Sequence, residues 1–198
     1  MKVGLILECG PDGADKQICE HLSHRIRNDI DLLTVTLDNK SELIRLSGEV
    51  AARMLAKRCE QIGIVWDLYP PWRIRAPDCR EDCDLIRKSL ADSGVDTRNV
   101  HLVCITQELE AWLLSDERAL RKVLSTRTRR ARVQRRNRPE RLNNPKNTIN
   151  QMFLENRHRP YSDMTDAIKI AKAMDDFSRI RTCPSFVRFA IKIFGVKV

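Results

Sequence analysis

Val3-Gly4-Leu5-Ile6-Leu7-Glu8-Cys9-Gly10-Pro11-Asp12-Gly13-Ala14-Asp15 passes from an apolar β-type run through a glycine turn into the start of a helix. Val3 to Leu7 reads as a buried strand, and Asp15 to Arg27 places Ile18, Leu22 and Ile26 on one helical face. The glycines permit a tight turn and close backbone approach, and a helix N-terminus favours phosphate oxygens. An ordinary strand-to-helix loop, with Asp12 or Asp15 capping the helix, is the plainer reading of the same residues. Glu8 fits it poorly. A charge at the end of a buried strand costs free energy unless it is paired or metal-bound.

Working outward, Leu32 to Leu37 reads as a second strand, Gly63 to Trp66 as a third ending at Asp67, and Val100 to Ile105 as a fourth. Ser41 to Cys59 reads as a long helix, with Leu43, Ile44, Val50, Met54 and Leu55 at helical spacing and Ser41 as its N-cap. Strands alternating with helices predict an α/β fold with a mostly parallel four-stranded sheet flanked by helices. In such sheets ligands gather beyond the carboxyl ends of the strands. Further helical patterns cover Gln107 to Leu114, Glu117 to Leu124, Pro145 to Leu154, Thr165 to Met174 and Pro184 to Phe194. The expected organisation is an α/β domain over 1–124, an arginine-rich segment over 125–143, and a helical extension over 144–198 packed on the same domain.

The bulk properties narrow the class. With 198 residues, 42% hydrophobic and 32% charged, the chain is globular and has room for one main core. Its net charge of +9 favours a polyanionic partner. Seven scattered cysteines read as reduced thiols, and no apolar run approaches the roughly 20 residues that span a bilayer. The expectation is a cytoplasmic protein that is neither secreted nor embedded in a membrane.

Asp67 ends the third strand as Glu8 ends the first, and Glu108 and Glu110 follow the fourth. Acids crowded at one sheet edge repel, and a divalent cation relieves them. Mg²⁺, or Mn²⁺ in its place, suits such a site because it takes one or two carboxylates and accepts phosphate oxygens as further ligands. Two residues apart on a helix, Glu108 and Glu110 point in different directions, so one of the pair is expected to face the site.

An acidic residue and glycine turn after strand one, with an acidic motif after strand three, resembles the TOPRIM domain of topoisomerases, primases and overcoming-lysogenization-defect nucleases. Gln107-Glu108-Leu109-Glu110-Ala111-Trp112-Leu113-Leu114-Ser115-Asp116, with Cys183-Pro184-Ser185-Phe186, resembles a family of small bacterial TOPRIM-like proteins of unassigned function. These are similar in size and fold to the TOPRIM partners of ATPases in anti-phage systems. The resemblance implies a metal-dependent nuclease or related phosphoryl-transfer enzyme. Glu8, Asp67 and Glu110 would be catalytic, and Glu8, Asp67, Glu108 and Glu110 would bind the metal. The sequence departs from the pattern twice: Glu-Cys-Gly replaces Glu-Gly, and Tyr69 stands where a second aspartate is expected. A tyrosine supplies no carboxylate. An inactive nucleic-acid-binding or regulatory subunit on the same fold is therefore the rival reading, and a small-molecule enzyme a more distant one.

From Arg127 to Arg141 there are eight arginines and one acid, Glu140. Arg129, Arg130, Arg132, Arg135, Arg136 and Arg138 read as a clamp on DNA or RNA backbone, without aromatic side chains for base stacking. The bland alternative is a solvated loop. Cys79 and Cys83 have ligand-like spacing but no second pair, which disfavours structural zinc. Trp66 and Trp112 read as core. Tyr69-Pro70-Pro71-Trp72 reads as a rigid aromatic loop beside Asp67, either shaping a groove or packed on its own domain.

Overall fold

The apolar β-type runs become four parallel strands: β1 (Lys2–Leu7), β2 (Asp31–Thr36), β3 (Gln61–Asp67) and β4 (Val100–Ile105), in the order β2-β1-β3-β4. The structure is a computed structural model that describes residues 1–70 and 77–198. Pro71 and Trp72, half of the expected aromatic loop, lie outside the described residues. The helices are α1 (Ala14–Ile26), α2 (Lys40–Ala56), α3 (Cys79–Asp92), α4 (Glu110–Leu114), α5 (Glu117–Leu124), α6 (Pro145–Arg157), α7 (Ile168–Ala173) and α8 (Pro184–Phe194). The fold is thus α/β with an all-parallel sheet flanked by helices, an arrangement compatible with a TOPRIM-like fold.

Alternation along the central strands sends side chains to two cores. Ile6, Ile62, Ile64, Trp66 and Cys104 meet Leu43, Met54, Ile86 and Leu90 of α2 and α3 on one face. Val3, Leu5, Leu7, Val65, Val103 and Ile105 meet α1, α8 and the other C-terminal helices on the opposite face. The two helices of the first face cross closely because position 48 is glycine. A Cβ there would come within 2.0 Å of the Ser89 carbonyl oxygen, while the Gly48 backbone N donates to Ser89 Oγ at 3.1 Å.

Trp66 and Trp112 are core, at 1% and 0% exposure. Each indole N–H keeps a buried partner: Trp66 donates to Asp82 at 3.1 Å and Trp112 to Ser185 Oγ at 2.7 Å. Glu140 accepts from the Ser185 backbone N at 3.1 Å and from its hydroxyl. The Trp112 and Phe186 rings meet edge-on at 5.3 Å. The segments around Trp112 and Cys183 are therefore one packed unit, and most of what makes them recognisable serves the core.

Several expectations need correcting. α2 is capped by Asn39, whose side chain accepts from the Glu42 backbone N at 3.0 Å; Ser41 lies inside the first turn. Gly13 is the N-cap of α1 and makes no side-chain cap, so neither Asp12 nor Asp15 fills that role. The helix expected from Gln107 begins at Glu110, and Asp116 caps α5 separately by accepting from the Arg118 and Ala119 backbone N atoms. The Thr165 to Met174 helix opens as a π-type turn over Asp163–Ala167 before α7. The seven cysteines are not all thiols: Cys79 at the start of α3 is disulfide-bonded to Cys104 of β4. Among the described residues no helix is long and apolar enough to cross a membrane.

Candidate active site at the carboxyl ends of the strands

Because β1 and β3 are neighbours, their C-terminal acids arrive side by side. The Asp67 backbone N donates to Glu8 Oε1 at 3.2 Å, and the Leu109 backbone N donates to Asp67 Oδ2 at 3.1 Å. Each carboxylate is thereby fixed by the start of the next loop. Glu8 Oε2 is buried and has no hydrogen-bond partner among the described residues.

Glu8 and Asp67 open onto a cavity of about 480 Å³, which is also lined by Asp15, Glu108, Glu110 and Asp163. Both glutamates of the pair line it, where one was expected. Glu108 precedes α4, so helical periodicity does not govern its direction, and its Oε2 accepts from the Lys146 backbone N at 3.0 Å. Glu110, at the first residue of α4, accepts from the Tyr161 hydroxyl at 3.4 Å.

Burial and the neighbouring acids shift the carboxyls of this cavity upward. Burial, opposed by Lys40 and the bond from Asp67, pushes the Glu8 carboxyl up to about 7. Burial and the Asp15 charge push Glu110 up to about 7. Asp15 rises to about 6 through burial, with Lys146 opposing and Asp163 and Glu108 reinforcing. Asp67 is held well above the usual carboxylate range by burial and by Asp15, Glu8 and Glu110.

Two ammonium groups stand among these acids, and the sequence pattern gives no hint of either. Lys40 is buried at the start of α2 and donates to the carbonyls of Leu68 at 2.9 Å and Pro70 at 3.1 Å, steadying the loop after β3. Lys146, in the first turn of α6, pairs with Asp163, whose carboxyl it holds low. Asp15 is a third surprise: the residue taken for a helix cap faces the cavity instead.

The acidic wall offers carboxylate oxygens, and the Cys9 thiol beside Glu8 also lines the cavity. Among the described residues no three His, Cys, Asp or Glu side chains form a ready-made metal cage. Tyr69 lines the same cavity at 38% exposure, and its backbone N donates to Gln107 O at 3.0 Å.

The arginine segment is irregular until a 3-10 turn over Pro139–Arg141, and it is not a detached loop. Ala131 and Val133 are buried in the core while Arg130, Arg132 and Gln134 between and after them are exposed. The Ala131 backbone N donates to Ser125 Oγ at 3.0 Å. Arg129, Arg135 and Arg138 are exposed; Arg136 is partly buried, with its Nε lacking a partner.

No curated protein and no solved structure matches the chain. One family does, over residues 12–193, a span that takes in Asp15, Asp67, Glu108, Glu110, Lys146 and Asp163 and begins just after Glu8. Its description is "Domain of unknown function (DUF4276)", and the chain belongs to that family.

Proposed function

We propose that the protein is a TOPRIM-like, Mg²⁺-dependent (or Mn²⁺-dependent) nuclease or related phosphoryl-transfer enzyme acting on DNA or RNA. The observation that carries this reading is the cavity at the ends of β1, β3 and β4, where buried carboxyls crowd together and Glu8 Oε2 has no donor among the described residues. Glu8 and Asp67 would hold the metal, with Glu108 or Glu110 as a third carboxylate. Bound there, Mg²⁺ supplies activation of a water and stabilises charge on the departing oxygen. Asp67 is oriented for its part by the Leu109 backbone N, and Glu8 by the Asp67 backbone N. Lys40 fixes the neighbouring loop, and Lys146 places a positive charge at the cavity wall. The exposed arginines would hold the nucleic-acid backbone without reading sequence.

A second reading is favoured by Tyr69, which lines the cavity where the TOPRIM pattern has an acid. On that reading the protein is a nucleic-acid-binding or regulatory subunit that does not cut. The deciding experiment incubates purified protein with single- and double-stranded DNA and RNA, with Mg²⁺ or Mn²⁺, alone and with any ATPase encoded beside it. Cleavage lost in Glu8→Gln and Asp67→Asn supports the nuclease. Metal-independent binding with no cleavage under either metal moves the assignment to the binding subunit.

A further inference from the structure

A second cavity, of about 530 Å³, shares the loop after β4 with the carboxylate cavity. Thr106 lines the one and Glu108, two residues on, lines the other. Two residues span at most about 7 Å. The remaining wall includes Asn137, Arg138 and Arg141 from the arginine segment and Thr182 just ahead of α8. Glu140 also lines it, but its carboxylate accepts from the Ser185 backbone N and hydroxyl. Arg138 and Arg141 are exposed, and among the described residues neither guanidinium has an ion-pair partner. The Thr182 hydroxyl donates to the Arg179 carbonyl at 2.8 Å, so the wall presents two guanidinium forks, the Thr106 hydroxyl and a carboxamide, a donor-rich set suited to a tetrahedral oxyanion.

We infer that this cavity is a phosphate subsite for a nucleic-acid strand, holding a backbone phosphate of the same strand whose phosphodiester enters the neighbouring carboxylate cavity. The inference rests on the nuclease reading for what occupies the neighbouring cavity, and on Arg138 and Arg141 for the anion itself. It also divides the arginine segment: Arg130 and Arg132 line a separate hollow with Arg121 and Gln134, whereas Arg138 and Arg141 share this one.

The test uses two probes in EDTA, inorganic phosphate and a single-stranded oligonucleotide, on the wild type, the Arg138→Ala/Arg141→Ala double variant and an Arg127→Ala control. Phosphate should shift the guanidinium NMR signals of Arg138 and Arg141 in the wild type and in the control. Oligonucleotide affinity at low salt should fall about ten- to a hundredfold in the double variant. The slope of log K against log salt should shrink by about 1.4, two contacts at about 0.7 each. An unchanged slope in the double variant overturns the subsite and leaves the nuclease reading standing. A reduced slope in a protein that never cleaves with Mg²⁺ or Mn²⁺ supports the subsite and removes the nuclease. Phosphate binding with no oligonucleotide binding overturns the assignment to a strand.

Discussion

Glu8→Gln should make the metal-free protein more stable, and the gain should depend on pH. The Glu8 carboxyl sits at about 7 in the fold against 4.5 for an ordinary glutamate. Below about 4.5 the group is protonated in both folded and unfolded chains, and no penalty arises. Between 4.5 and 7 the folded state retains a proton that the unfolded state releases, so stability falls as pH rises; above 7 the full penalty is present. A rise of this size corresponds to roughly 3 kcal/mol. Solvent entering the cavity screens it, leaving about 1–2 kcal/mol. Glutamine keeps an oxygen for the Asp67 backbone N and drops the charge. With Tm moving about 2–4 °C per kcal/mol at this chain length, the variant should melt about 3–6 °C above wild type at pH 8 and level with it at pH 4. Thermal unfolding followed by circular dichroism in EDTA measures this. Millimolar Mg²⁺ should then raise the wild-type Tm at pH 8 and leave the variant where it was. A variant that melts lower than wild type at pH 8, or that gains equally at both pH values, would refute the account of a desolvated, repelled carboxylate.

Gly48→Ala should destabilise by more than about 2 kcal/mol in urea unfolding, because the new methyl group meets the Ser89 carbonyl at the α2–α3 crossing; a loss under 0.5 kcal/mol would mean the helices part easily. Trp112→Phe keeps a six-membered ring but deletes the pyrrole ring and its bond to Ser185, so it should cost about 2–4 kcal/mol by the same assay, and near-neutrality would show that the core closes around the smaller ring. Tyr69→Asp adds a carboxylate to the cavity wall. It should tighten Mn²⁺ binding measured by calorimetry, and unchanged affinity would place position 69 beyond the metal's reach.

Glu8 and Asp67 were legible in the sequence because each interrupts an apolar run at a point where a strand must end, and the parallel sheet brings all such ends to one edge. Asp15 was hidden by its position, since an acid in a first turn also satisfies the helix. Lys40, Lys146 and Asp163 left no local signal: α2, α6 and the π-type turn are carried to the cavity by tertiary packing alone. Two misreadings did have signals. Asn39 followed three residues later by Glu42 has the spacing of a capping box, which outranks Ser41. Ala131 and Val133, alternating with Arg130 and Arg132, mark an extended strip with one apolar side. Cys79 and Cys104 stand 25 residues apart, and only the packing of α3 on β4 makes them neighbours.

That extended strip has a thermodynamic consequence for association. A disordered basic tail must lose backbone freedom when it meets a polyanion, at about 1–2 kcal/mol for each residue fixed. Here Ala131 and Val133 hold the chain against the core, and Glu140 ties its far end to Ser185, before any ligand arrives. Only the guanidinium side chains then remain to be ordered, at about 0.5–1.5 kcal/mol each. Complex formation at this surface should accordingly show a small unfavourable conformational entropy, with counterion release as its main driving term.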